Sequence, residues 1–247
     1  MNESNFTGIP SGFTKLDEIT GGFHKSDLIV VASRPGMGIP SFALSIVFRT
    51  FECERHNILF FSQEMNRDTI IKRFMTFKED NNYNSENLVI IDYLYNAMDI
   101  MDECQRRKKE KSIDLIVIDY LQLLNFCDCT DNYQRYKYLP QYLKQLARAI
   151  DCPVIVLSQL NQDLETRECK RPRISDIRDS GYIAEYADLI LFLYRDDYYN
   201  LDSEDKDICE VIIAKNKNGS TGTALLKWIG EYSLLCDLNE TQDENVQ

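Results

Sequence analysis

Short apolar runs recur along the chain, each closed by polar or glycine-containing residues and most followed by a stretch with helical spacing. Asp27–Ala32 (DLIVVA), Asn57–Ser62 (NILFFS), Leu88–Ile91 (LVII), Leu115–Asp119 (LIVID) and Val154–Ser158 (VIVLS) are nearly unbroken in Leu, Ile, Val and Phe. A strand reads this way when both of its faces are covered, as in a parallel sheet. Helices are predicted over Phe13–Ile19, Ser41–Phe51, Arg67–Phe77, Ala97–Lys109 and Tyr138–Ile150, with a polar loop around Asn81, Asn82 and Asn84. Three later runs, Leu189–Tyr194, Val211–Ala214 and Ala224–Trp228, complete the pattern. Repeated strand–helix–strand units predict an α/β fold, a mainly parallel twisted sheet flanked by helices and finished by an antiparallel C-terminal pair. One domain is expected over residues 1–238, with residues 239–247 (NETQDENVQ) a polar tail too poor in apolar residues to order.

Composition narrows the class. The chain has 247 residues, enough for one self-sufficient core. No apolar run approaches the roughly 20 residues of a membrane span, and the polar start MNESNFTGIP lacks a signal-peptide core, so a cytoplasmic protein is expected. Eight cysteines lie scattered without a C-x-x-C pair, and there are only two histidines, which excludes a zinc cluster or disulfide framework in favour of reduced core thiols.

Net charge is −12, which disfavours nonspecific attraction to nucleic acid over the whole surface. Residues 165–178 (ETRECKRPRISDIR) depart from that balance with five basic residues: Arg167, Lys170, Arg171, Arg173 and Arg178. A local basic loop in an acidic protein suits a site that meets phosphate locally.

The chemistry gathers after successive strands. Between the first strand and its helix stands SRPGMGIPS, with Arg34, Gly36, Gly38, Ile39, Pro40 and Ser41. Strand, glycine loop and helix in that order bring backbone N–H groups and a helix N-terminus onto phosphate. The phosphate-loop pattern G-x-x-x-x-G-K-[ST] nevertheless demands Lys and a hydroxyl where Ile39 and Pro40 stand. Glu64, after the second strand, could polarise an attacking water. Asp119, ending the fourth, is placed to hold magnesium through water, and Gln159, after the fifth, to sense a terminal phosphate.

SRPGMG, SQEM, IDLIVIDYLQLL, CPVIVLSQLNQDLETR, KRPRISDIRDSG, ADLILFLYRDDYY and IIAKNKNGSTGT occur in the order and spacing of the C-terminal, RecA-like motor domain of DnaB-type replicative helicases, which the chain resembles over about residues 7 to 238. The resemblance implies a RecA-like P-loop NTPase fold. It also implies ATP and magnesium as cofactors, and a hexameric ring on single-stranded DNA, with homo-oligomer or replicative-helicase subunits as partners. By motif, Glu64 matches the catalytic base, Asp119 the magnesium-organising acid and Gln159 the γ-phosphate sensor. Arg178, Asp179 and Gly181 match the loop that tracks DNA, and Lys215 with Lys217 the pair that reaches into a neighbour's ATP site.

Departures from the family bear on activity. Ile39 and Pro40 replace the phosphate-binding lysine and the magnesium-binding hydroxyl, Lys217 stands in place of an arginine finger, and Gln162 in place of an arginine. Pro40 is also expected to bias Ile39 away from helical backbone. Because the resemblance begins near residue 7, ring formation is expected to lack the fastening that an N-terminal domain and linker helix provide in this family. The leading expectation is a degenerate Walker A motif with weakened or lost ATP binding, in a DNA-binding or helicase-interacting module. The alternative is a working ATP-driven helicase in which Arg34, or Lys215 from a neighbour, replaces the missing lysine.

Overall fold

The structure is a computed structural model that describes residues 7–54, 56–76, 86–126, 132–177 and 180–239. Five strands, β1 (Leu28–Ser33), β2 (Ile58–Ser62), β3 (Leu88–Ile91), β4 (Leu115–Asp119) and β5 (Val154–Gln159), alternate with helices α1 (Thr14–Thr20), α2 (Ile39–Glu54), α3 (Arg67–Thr76), α4 (Ala97–Lys108) and α5 (Asn132–Ile150). Beyond them come α6 (Ser180–Tyr186), β6 (Leu189–Tyr194), α7 (Asp196–Tyr199), β7 (Ile208–Asn216), β8 (Gly222–Ile229) and β9 (Leu234–Asp237). All nine strands of the described residues form one sheet in the order β3-β2-β4-β5-β1-β6-β7-β8-β9. Pairing is parallel from β3 to β6 and antiparallel from β6 onward.

Two apolar layers explain the unbroken runs. Ile29 and Val31 of β1, Ile58 and Phe60 of β2, and Leu115 and Val117 of β4 pack on one face with α1 and α2. Leu28, Val30 and Ala32 pack on the other, with Leu59, Phe61, Ile116 and Ile118, against α4 and α5. Side chains alternate as in any strand, but both faces are dry, so no polar period of two survives. β7 carries the alternating burial of a sheet with one open face. That weaker apolar signal is why Val211–Ala214 gave too short a span there. β9 supplies a third C-terminal antiparallel strand where a pair was expected.

Two helices begin earlier than the sequence suggests. α2 starts at Ile39, not Ser41, with the Phe42 N–H donating to the Gly38 carbonyl at 2.9 Å. Ile39 is the first residue of the helix in spite of the bias expected from Pro40, which itself stands in the first turn, where its missing N–H has no helical partner to lose. α5 runs from Asn132 through Pro140, where a start at Tyr138 was expected.

Cys104, Cys152, Cys209 and Cys236 are buried free thiols, and Cys169 is exposed. Cys127 and Cys129 lie outside the described residues, as do Asn81, Asn82, Asn84 and residues 240–247. Among the described residues no helix is long and apolar enough to cross a membrane.

Candidate functional site

Parallel strands place their C-terminal ends on one edge of the sheet, and β2, β4, β5 and β1 are neighbours there. The residues that leave those ends line a single cleft of about 270 Å³: Arg34, Gly36, Gly38, Ile39, Pro40, Glu64, Asp119 and Gln159 are among them. Topology alone has thus brought together groups that are far apart in the chain.

The glycine loop is shaped by its glycines. Gly36 and Gly38 have φ of 85° and 91°, backbone that side-chain-bearing residues rarely adopt. Space is short as well: a Cβ on Gly36 would lie 2.7 Å from the Tyr198 ring, and one on Gly38 2.7 Å from the Trp228 ring. Two aromatic side chains from the C-terminal half therefore lie against the loop. Trp228 is in turn stacked by the Arg195 guanidinium at 4.8 Å.

Asp119 is fully buried, and neither carboxylate oxygen has a hydrogen-bond partner among the described residues. Burial and the nearby charge of Glu64 push its pKa up to about 7, with Arg73 opposing. A buried, unpartnered acceptor pair in the lining of a cleft is suited to a cation. Glu64 is exposed to the cleft. The side-chain amide of Gln122 donates to the Gln159 carbonyl at 3.1 Å and accepts from the Gln159 N–H at 3.2 Å, fixing the backbone of the proposed sensor.

The fit to a magnesium nucleotide is partial. Asp119 can take the metal side, and the N-terminus of the 16-residue α2 can take phosphate. No ammonium or hydroxyl comes from positions 39 and 40, whose side chains are Ile and Pro, and Ile39 instead packs against the core. Ser41 does not substitute: it is 5% exposed and does not line the cleft.

Other expected site residues lie elsewhere. The Lys215 ammonium donates to the carbonyls of Ala184 and Ala187 at 2.5 and 2.6 Å. Lys217, 45% exposed, pairs with buried Asp188 at 2.8 Å, and Asp188 also holds Lys144. Asp188 accepts the N–H of Leu28, the first residue of β1. The phosphate loop leaves the other end of that strand, about 17 Å away at 3.3 Å per residue. Neither lysine reaches this chain's own cleft.

Two of the five basic residues of the loop are paired with carboxylates. Arg167 forms a two-pronged pair with Asp176 at 3.0 and 2.9 Å, Arg171 pairs with Glu210, and the Lys170 ammonium donates to the carbonyls of Glu165 and Arg167. Arg173 is exposed, its backbone N–H donating to Oδ2 of Asp176 at 2.7 Å, and Gly181 is open to solvent. Arg178 and Asp179 lie outside the described residues. Glu165, Tyr198, Trp228, Asp188 and Lys144 were not singled out as site residues from the sequence, since their partners are distant in the chain.

The family model of the DnaB-like helicase C terminal domain matches residues 8–88 and 76–237, two overlapping stretches that together cover nearly the whole chain. The chain belongs to that family. It is 40% identical to the replicative DNA helicase DnaB of Geobacillus stearothermophilus and 37% identical to the replicative DNA helicase DnaC of Bacillus subtilis (strain 168). Each match covers 98% of this chain and 59% of the relative, so the chain spans about three-fifths of the length of these proteins. Among solved structures, the ATPase domain of G40P superimposes with a TM-score of 0.87 at 34% identity, over 96% of this chain and 94% of that one. A KaiC-like protein of Pyrococcus horikoshii shares the fold alone, at 15% identity and a TM-score of 0.69 over 93% of this chain and 97% of that one. The expected RecA-like, DnaB-type architecture is borne out.

Proposed function

We propose that this DnaB-type domain keeps the family's nucleotide cleft but binds and hydrolyses magnesium ATP poorly. It serves DNA replication in the cytoplasm as a module that binds single-stranded DNA or the subunits of an active replicative helicase. The observation that carries the reading is the chemistry of the cleft. Its phosphate end is lined by Ile39 and Pro40, Ser41 is withdrawn, and the exposed carboxylate of Glu64 meets the entering polyanion, with buried Asp119 also in the lining. Removing a charged partner from a desolvated pair costs about 2–5 kcal/mol, and one transition-state donor about 10²–10³ in rate.

When bound, magnesium supplies charge neutralisation at the transferring phosphate. Asp119 would hold it through water, and the turn at Gly36 and Gly38 would direct backbone N–H groups at the phosphates. Glu64 would accept the proton of the attacking water, and Gln159 would register the terminal phosphate. Lys215 and Lys217, at the far edge of the sheet, suit contact with a neighbouring subunit, and Arg173, Arg178, Asp179 and Gly181 suit the DNA backbone.

One observation favours a second reading, a slow but real ATPase: Asp119 retains two buried, unsatisfied oxygens, which are costly to keep without a cation. Steady-state ATP hydrolysis with single-stranded DNA separates the two. The leading reading expects a rate no higher in the unaltered chain than in Glu64→Gln. Turnover that Glu64→Gln abolishes would sink it.

A further inference from the structure

Among the described residues that line the cleft, Arg34 is the one cation. Its guanidinium is not turned to solvent. Nε donates to Oε1 of Glu165 at 2.9 Å, and Nη1 donates to the Leu160 carbonyl at 2.8 Å. Both partners belong to the segment that leaves β5 and becomes the basic loop. Arg34 and Glu165 are 14% and 34% exposed, so water screens this pair only in part.

Glu165 is itself held in place. The Tyr199 hydroxyl donates to the same Oε1 at 3.0 Å, and the Lys170 ammonium donates to the Glu165 carbonyl at 2.6 Å. Tyr199 packs edge-on against Tyr198, whose ring lies against Gly36. Glu165 therefore joins three elements: its carboxylate meets Arg34 of the phosphate loop and Tyr199 of the aromatic pair, and its backbone carbonyl meets Lys170 of the basic loop. Burial raises its pKa, but the bonds from Arg34 and Tyr199 outweigh that and leave it below the usual carboxylate range.

We propose that Glu165 is a positioning residue of the nucleotide cleft: it competes with nucleotide phosphate for Arg34. In this chain the competition matters because the lysine that would otherwise meet phosphate is Ile39. A phosphate that takes the Nε side of the guanidinium must displace Glu165, so binding in that mode is weakened by the strength of the existing contact. The inference rests on the reading above that the cleft takes a nucleotide.

The test is an ATP titration of the full chain in magnesium, followed by the fluorescence of its single tryptophan, Trp228, which lies against Gly38. Glu165→Gln is expected to tighten ATP about tenfold, the size of coupling between contacting charged groups, and to leave adenosine unchanged. Glu165→Asp keeps the charge but withdraws the carboxylate by one methylene, and is expected to tighten ATP similarly. In an Arg34→Gln background the gain should vanish. The proposal is overturned if a folded Glu165→Gln or Glu165→Asp protein binds ATP no more tightly than the unaltered chain, or if the gain survives Arg34→Gln, which would make it bulk charge alone. Micromolar ATP binding by the unaltered chain would instead refute the impaired-site reading, while the ratio between variants still tests Glu165.

Discussion

Restoring Ile39→Lys and Pro40→Thr together should convert a weak nucleotide site into a strong one while making the empty domain less stable. The gain follows from position. Residue 39 is the first of α2 and lines the cleft beside the glycine turn, so an ammonium there would meet phosphate at the positive end of a helix. At about 4 Å and an effective dielectric near 20, one charge pair is worth about 4 kcal/mol before desolvation, and measured losses at such pairs run about 2–5 kcal/mol. The corresponding gain in affinity is between about 30-fold and about 5,000-fold. The loss follows from packing. Ile39 lies against the core, and exposing part of that surface costs about 1 kcal/mol. Giving up proline in a compatible first turn costs roughly 0.4–1 kcal/mol more. Calorimetric titration with an ATP analogue in magnesium measures the gain, and urea unfolding of the ligand-free variant measures the loss. An affinity gain below about threefold in a folded variant would show that positions 39 and 40 do not limit this site.

Three other expectations follow from particular contacts. Gly38→Ala combines a strained φ with an overlap against Trp228, so it should lose about 1–3 kcal/mol in chemical unfolding and shift tryptophan emission; an unchanged spectrum would argue that the ring does not lie on the loop. Lys144→Met leaves buried Asp188 with the Leu28 N–H and the half-exposed Lys217, and should cost about 1–3 kcal/mol; a loss under about 0.5 kcal/mol would contradict a structural pair at that edge. Asp17 is buried, and burial raises its pKa from 3.8 to about 6 against the opposing bonds from Ser11 and Gly12. Because the folded pKa lies above the unfolded one, its contribution is full below about pH 4 and is lost as pH rises through about 6. Unfolding midpoints of the unaltered chain should therefore fall more steeply between pH 4 and 7 than those of Asp17→Asn, and parallel slopes would refute the assignment.

Much of this was legible in the chain because the relevant physics is local. Unbroken runs such as Leu28–Ala32 and Leu115–Ile118 announced strands dry on both faces, and residues following them were bound to meet at one sheet edge. Arg34, Glu64, Asp119 and Gln159 came together for that reason. What stayed hidden depends on pairings distant in sequence. Tyr198 and Trp228 lie against Gly36 and Gly38 only because α7 follows β6, the parallel neighbour of β1, and β8 returns antiparallel beyond it. The basic loop looked free because charge counting cannot see that Arg167 pairs with Asp176 or Arg171 with Glu210. Ser41, one residue beyond the missing hydroxyl, looked available until the helical turn carried it into the interior.

The central claim is that the scaffold of a DnaB-type nucleotide site persists without the groups that grip magnesium ATP. Equilibrium titration of the unaltered chain with a non-hydrolysable ATP analogue, with and without magnesium, tests it most directly. The account predicts weak binding that magnesium changes by no more than about twofold, well under the 1.4 kcal/mol of a tenfold effect. Micromolar affinity that rises at least about tenfold with magnesium would contradict it and identify a working ATP site.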